Sequence, residues 1–359
     1  MLRVRPMRST PAVVLLAVAL AAGCGDSGSP KKDVVVSTPD AQEGIVYGKL
    51  PADPPAGSTS TFNTRGCQGC PPGAATPEAA GLAPGAQRVA FTRATAVSEA
   101  DIWIADADGS GELRLTRDAG LEMSPTWSPD GTQIAFVSDR AGGNLDLYTV
   151  GVGDGAVARL TESPGDEFSP AWSPDGRTIA VTRSLDNHAD IVLVGVSPAS
   201  ERVLTAGQWA SWMPDSRRVL VTAGEFAEGS LVVVDTETGE QRRLEIDVPN
   251  AHQGSVSPDG RTVAFSVSEN GFDGSPNNWN EELWVASTAD GGDLRRLTVR
   301  SGNDHWPAAW APDGRSLVWT ADDTEGGADL YIARANGKEL RRLTSDPGYD
   351  AWPSWAPRP

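Results

Sequence analysis

The sequence carries few of the residues that do chemistry. Its 359 residues include only three cysteines and three histidines. It has no Gly-x-Ser-x-Gly elbow, no His-Glu-x-x-His, no Gly-x-x-x-x-Gly-Lys loop and no dinucleotide-binding glycine fingerprint set between a strand and a helix. These absences argue against an enzyme of the common hydrolytic, nucleotide-using or redox classes. After the N-terminal stretch, no apolar run reaches the roughly 20 residues a helix needs to cross a bilayer. Positive charge is scarce as well, since 30 Lys and Arg stand against 48 Asp and Glu, a net of −18. That balance disfavours nucleic acid and anionic lipid as partners, and it suits basic proteins, cations or polar glycans.

What the chain has in quantity is one short pattern. It occurs as Trp127-Ser-Pro-Asp-Gly131, Trp172-Ser-Pro-Asp-Gly176, Trp212-Met-Pro-Asp-Ser216, Val256-Ser-Pro-Asp-Gly260, Trp310-Ala-Pro-Asp-Gly314 and a truncated Trp355-Ala-Pro357. The steps between copies are 45, 40, 44, 54 and 45 residues. A unit of about forty residues cannot bury its apolar face alone and must stack on its neighbours. Helical solenoids share this period, but here the turns cut the apolar runs too short for helices.

Each unit divides into four strands. After the turn comes a β-branched run such as Ile134-Ala-Phe-Val137 or Thr262-Val-Ala-Phe265. A strand of the type Asp146-Leu-Tyr-Thr149 follows, and then a tight turn and a strand ending like Arg159-Leu-Thr161. The first unit begins at its second strand, Arg88-Val-Ala-Phe91, and the last ends after a lone first strand around Trp352-Pro-Ser-Trp355. The expectation is an all-β, six-bladed propeller of four-stranded antiparallel blades over residues 83–359. The C-terminal strand would complete the first blade and remove exposed edges.

The repeat's own Asp residues read as turn formers. Proline presets φ, Asp bonds the backbone downstream and Gly accepts positive φ. Asp106-Ala-Asp-Gly-Ser-Gly-Glu112 has the carboxylate spacing of a calcium loop, but the equivalent hairpins of other units lack it, so it too reads as a turn. The doublets Arg242-Arg243, Arg295-Arg296 and Arg341-Arg342 recur on the fourth strand and read as solvated edge charges.

Residues 1–23 read as a secretory signal, with Arg3, Arg5 and Arg8 ahead of an apolar run that ends in Ala21-Ala-Gly-Cys24. That ending resembles the bacterial lipoprotein cleavage box. The resemblance implies lipidation of Cys24 and a chain held to a membrane by lipid alone. Residues 24–82 then form a tether that contains Cys67-Gln-Gly-Cys70. No second Cys pair completes a zinc site and Pro71 stands where haem attachment needs His, so a local Cys67–Cys70 disulfide is expected.

Loops entering the first strands share one face of a propeller with those joining second and third strands. Just ahead of the innermost strands stand Glu122, Asp166, Glu167, Gln208, His252, Asp304, His305 and Asp350. Their convergence on the channel mouth would make a site for a polar ligand or a divalent metal, with no other cofactor indicated. The insertion behind the 54-residue step, residues 268–281, adds Phe272 and Trp279 as candidate contacts for a sugar or a protein.

The unit Pro-x-Trp-Ser-Pro-Asp-Gly, with its Asp-Leu-Tyr and Arg-Leu-Thr strands, resembles the repeat of the TolB-like propellers across residues 83–359. That family implies a cell-envelope location and partner proteins bound at the channel mouth. Only the tether and the Cys-x-x-Cys segment precede the blades, so the expectation omits the N-terminal α/β domain of such proteins. The repeat is also similar to the propellers of prolyl-oligopeptidase-like peptidases and of oligogalacturonate lyases, the latter implying a metal held by histidines at the mouth. The expected function is that of a monomeric, non-catalytic, lipid-anchored propeller recognising an envelope protein or a polar glycan. The rival is a metal-dependent lyase or hydrolase acting on an acidic saccharide.

Overall fold

A computed structural model describes residues 87–96, 99–185, 188–197, 199–224, 229–268, 281–298, 304–322, 327–346 and 348–358. Every regular element among them is a strand. The chain opens with β1 (Arg88–Ala96), β2 (Glu99–Asp106) and β3 (Leu113–Arg114). Next come β4 (Glu122–Trp127), β5 (Gln133–Ser138), β6 (Asp146–Gly151) and β7 (Val157–Arg159), which form a four-stranded antiparallel meander. A second meander contains β8 (Asp166–Trp172), β9 (Thr178–Leu185), β10 (His188–Val196) and β11 (Ala199–Ala206). The third is β12 (Gln208–Trp212), β13 (Arg218–Ala223), β14 (Ser230–Asp235) and β15 (Gln241–Arg243). The fourth is β16 (Ala251–Val256), β17 (Thr262–Ser268), β18 (Glu281–Ser287) and β19 (Arg295–Arg296).

The remaining strands share one eight-stranded sheet. Within it β20 (Asp304–Trp310), β21 (Ser316–Asp322), β22 (Ala328–Arg334) and β23 (Arg341–Arg342) pair antiparallel in chain order. The last strand, β24 (Tyr349–Trp355), pairs antiparallel with β1, with Val89 opposite Trp355 and Ala94 opposite Tyr349. A single parallel bridge, Ala328 to Tyr349, joins the two halves. The first strands touch in the sequence β4, β8, β12, β16, β20, β24 and back to β4. The fold is therefore a propeller of antiparallel four-stranded blades.

The repeated motifs fall into place one by one. In the turn after β4, the Ser128 hydroxyl donates to Asp130 at 2.6 Å, the Asp130 carboxylate accepts the Thr132 amide at 3.0 Å, and Gly131 takes φ 70°. The Ser128 hydroxyl, and then Thr132, hold the Asp130 carboxyl below its ordinary range. The Arg-Leu-Thr ending also has a reason at each position. Thr116, Thr161, Thr298 and Thr344 accept the amides of Ile102, Leu147, Leu283 and Leu330 at 2.9–3.1 Å. The preceding arginines pair with the acid that opens the third strand, as Arg114 does with Asp101 at 2.6 Å and Arg159 with Asp146 at 2.7 Å.

Blades adhere through apolar clusters that span their faces. Ala90, Ile102 and Ile104 of the first sheet pack with Trp127, Ile134 and Phe136 of the next. Burial of each large side chain is worth about 1.5–3 kcal/mol. Polar ties add to this. Arg242 donates to the Thr288 carbonyl at 2.9 Å, Arg295 to that of Ala335 at 2.7 Å, and Arg341 to that of Ala107. The outer arginines are thus exposed, as expected of edge charges, but each also reaches a hairpin of the following four-stranded unit.

Candidate functional site: the axial channel

Five of the six first strands are broken three residues before the motif Trp, or before Val256. Ser124, Ser169, Trp209, Gln253 and Trp352 occupy these places with φ of 55°, 47°, 50°, 53° and 51°. Each coincides with a break in register against the second strand. Left-handed φ is uncommon without glycine, and for Trp it is a genuine outlier that a β-bulge must hold in place. The tether is a hydrogen bond between sheets. The amides of Ser124, Trp209 and Gln253 donate at 3.0 Å to the hydroxyls of Thr92, Thr182 and Thr222 on the preceding second strands.

Inside the ring these strands wall a cavity of about 470 Å³. Its lining includes Ser124 to Thr126, Ser169 to Trp172, Trp209 to Trp212, Gly254 to Ser257, Ala308 to Trp310 and Trp352 to Trp355. Every lining side chain among the described residues is a hydroxyl, a small or apolar group, a proline or an indole, and none is charged. The motif tryptophans also knit the wall together. Trp212, Trp310 and Trp355 donate from Nε1 to the carbonyls of Ala171, Ser255 and Ala309 on the preceding first strand, at 2.9–3.1 Å.

Three of the acids expected at the mouth are held inside the sheets. Glu122, Glu167 and Asp350 are fully buried, and each meets an arginine: Arg140 in the turn after β5, Arg183 on β9 and Arg93 on β1. None of the three lines the cavity. The reason is electrostatic, because a carboxylate taken out of water needs a hydrogen-bonded counter-charge, and the neighbouring strand or the turn after it supplies one. Glu167 also accepts the Leu147 amide at 2.9 Å and the Thr161 hydroxyl. Burial pushes the Glu167 carboxyl up, against the pull of Thr161 and Arg183. Arg93 stacks over the Phe91 and Trp103 rings and binds Asp350 and Glu112. Burial opposes the guanidinium charge, and the two carboxylates outweigh it, so the pKa of Arg93 is raised.

The other expected residues divide as follows. Asp166 is half-buried and accepts the Leu145 amide at 3.0 Å, and Gln208 sits opposite Thr222 at the start of β12. His252 is buried with both ring nitrogens engaged, Nδ1 at 2.8 Å from the Asn250 carbonyl and Nε2 at 3.1 Å from Glu281. The backbone of Asp304 and His305 pairs with Ala321 and Thr320, while their side chains lie outside the described residues. Cys24, Cys67, Cys70, Phe272 and Trp279 lie outside them too. No three His, Cys, Asp or Glu side chains converge as a metal site among the described residues.

Two things were not read from the sequence. The bulge escaped because its residues differ from copy to copy: Ser, Ser, Trp, Gln and Trp. The arginine partners did leave a trace, since the three units with an acid five residues before the Trp are those with Arg93, Arg140 or Arg183 late in the second strand or just after it.

Antiparallel four-stranded meanders around an axial cavity whose described lining is uncharged define a β-propeller. The chain belongs to the TolB beta propeller domain family, whose model matches residues 72–256 and 210–359. Among solved structures it is similar to TolB from Acinetobacter baumannii, with 22% identity over 78% of this chain and 69% of that one and a TM-score of 0.66. A putative TolB from Agrobacterium tumefaciens gives 19% identity over 74% and 91% of the two chains, with a TM-score of 0.59. Hydrazine synthase from Kuenenia stuttgartiensis gives 12% over 76% and 47%, with a TM-score of 0.60. At such identities the likeness establishes the fold alone.

Proposed function

We propose that this protein is a non-catalytic binding propeller of six blades, closed by its C-terminal strand and held at the bacterial cell envelope by a lipid on Cys24. Its ligand, an envelope protein or a polar glycan, sits in the axial channel. The observation that carries this reading is the cavity of about 470 Å³, walled by first strands and free of charged side chains among the described residues. It has the size of a ligand site and offers orienting hydroxyls and indoles, with no acid, base or nucleophile dyad among the described residues.

Closure is supported by contacts across the chain ends. β24 pairs with β1 and packs on β4, and a side chain on Gly131 would meet the ring of Pro357. The mouth carboxylates Glu122, Glu167 and Asp350 act here as positioning groups that fix the strands flanking the channel. A metal at His252 is disfavoured, because Asn250 and Glu281 already take both ring nitrogens. The Cys24 anchor and the Cys67–Cys70 disulfide are carried by the sequence pattern alone.

Fractionation and co-purification test the reading together. The full chain should sediment with membranes and bring down one predominant ligand. Cys24→Ala should release it to the soluble fraction with ligand binding intact. Membrane association that survives Cys24→Ala would refute the anchor, and a chain that retains nothing would refute the binding role.

A further inference from the structure

The channel wall also specifies what kind of molecule fits, given the reading that the channel is a binding site. Its described lining is uncharged although the chain carries −18. An acidic saccharide, a nucleotide or a charged peptide would shed its hydration there without meeting a counter-ion.

Two indoles line the cavity on strands from opposite sides of the ring. Trp209 is on β12 and Trp352 on β24, and these strands stand three places apart in either direction around the ring of first-strand contacts. Both residues hold left-handed φ at bulges, a backbone state that re-aims a side chain and that Trp does not adopt by preference. Between them the wall presents Ser124 and Ser169, also at bulges, and Ser255. Each hydroxyl both donates and accepts, as sugar hydroxyls do, while an indole face suits the apolar face of a pyranose ring.

The bulges also weigh against a peptide. An extended peptide binds a sheet edge by continuing its backbone ladder. Here the innermost strands β4, β8, β12, β16 and β24 are each interrupted in mid-strand, so no continuous ladder is offered to the channel. We infer that the channel binds a neutral oligosaccharide, stacked on Trp209 and Trp352 and hydrogen-bonded by the serine hydroxyls between them.

Calorimetric titration of the full chain tests this with defined probes: the α-1,4 and β-1,4 tetramers of glucose, the β-1,4 tetramer of N-acetylglucosamine, tetragalacturonate, and an uncharged Ser-Pro-Ala octapeptide. One or more neutral tetramers should bind one to one. Trp209→Ala and Trp352→Ala should each weaken binding by about tenfold, equivalent to about 1.4 kcal/mol. Trp209→Phe and Trp352→Phe, which keep a ring and the packing, should lose less, and Val203→Ala on the rim should change nothing. Failure of every neutral tetramer, tighter binding of tetragalacturonate, or neutral binding indifferent to both Trp changes would overturn the inference. Binding of the octapeptide alone would overturn the sugar class and leave the channel as a binding site.

Discussion

Arg93 and Asp350, 257 positions apart in the chain, face one another on β1 and β24, with Arg93 Nε 2.6 Å and Nη2 2.8 Å from the two carboxylate oxygens. The pair is buried, at 2% and 0% side-chain exposure, so it locks the C-terminal strand to the first strand of the fold. Arg93→Ala should cost about 3–5 kcal/mol in denaturant unfolding, because it strands a buried carboxylate. Adding Asp350→Ala should recover part of that loss, and a double variant weaker than Arg93→Ala would refute the pairing.

The repeated turns allow a matched comparison. Gly260 and Gly314 hold φ of 72° and 68°, but a β-carbon on Gly260 would lie 2.9 Å from Pro214, against 3.9 Å from Pro258 for Gly314. Left-handed backbone costs alanine about 1–2 kcal/mol at either site. Thermal melts should therefore show Gly260→Ala below Gly314→Ala, since only the first also displaces a neighbouring turn.

His252 should make stability fall on the alkaline side. Burial disfavours the imidazolium, while the Glu281 carboxylate and the Asn250 carbonyl outweigh it, so the folded pKa is raised from 6.5. The Trp209 ring, 6.3 Å away, adds no charge. A raised folded pKa means that the contribution is complete below about pH 6.5 and is lost as pH climbs through the folded value. Melting temperature measured from pH 5 to 9 should show this loss in the wild type, and His252→Gln should remove that component.

The bulge at Trp209 depends on Thr182, whose hydroxyl accepts the Trp209 amide at 3.0 Å. Thr182→Val keeps the shape and removes the acceptor, at an expected cost of about 1–3 kcal/mol. Thr182→Ser should restore most of it. Ligand affinity should follow the same order, because the bulge aims the Trp209 ring.

Much of this was legible in the chain because turns and strand alternation are local. Pro-Asp-Gly specifies a hairpin, and Ile134 to Val137 or Thr262 to Phe265 specify buried strands, without reference to anything distant. The truncated Trp355-Ala-Pro357 copy pointed to β24 beside β1. The mouth was harder to read. An acid just ahead of an innermost strand looks solvent-facing in sequence, and only the register that sets Glu167 opposite Arg183 shows it neutralised within its sheet. The bulge is harder still, because any residue that a partner hydroxyl can hold will serve there.

On the proposed reading the channel, and not the rim, is the working surface. A photo-crosslinking residue at Thr126, which lines the cavity, can be compared in living cells with one at Val203, which is 59% exposed on β11. Mass spectrometry should find an adduct at position 126 that is lost in Trp209→Ala with Trp352→Ala, and none at 203. Adducts at 203 with none at 126 would contradict the claim and move the binding surface to the rim.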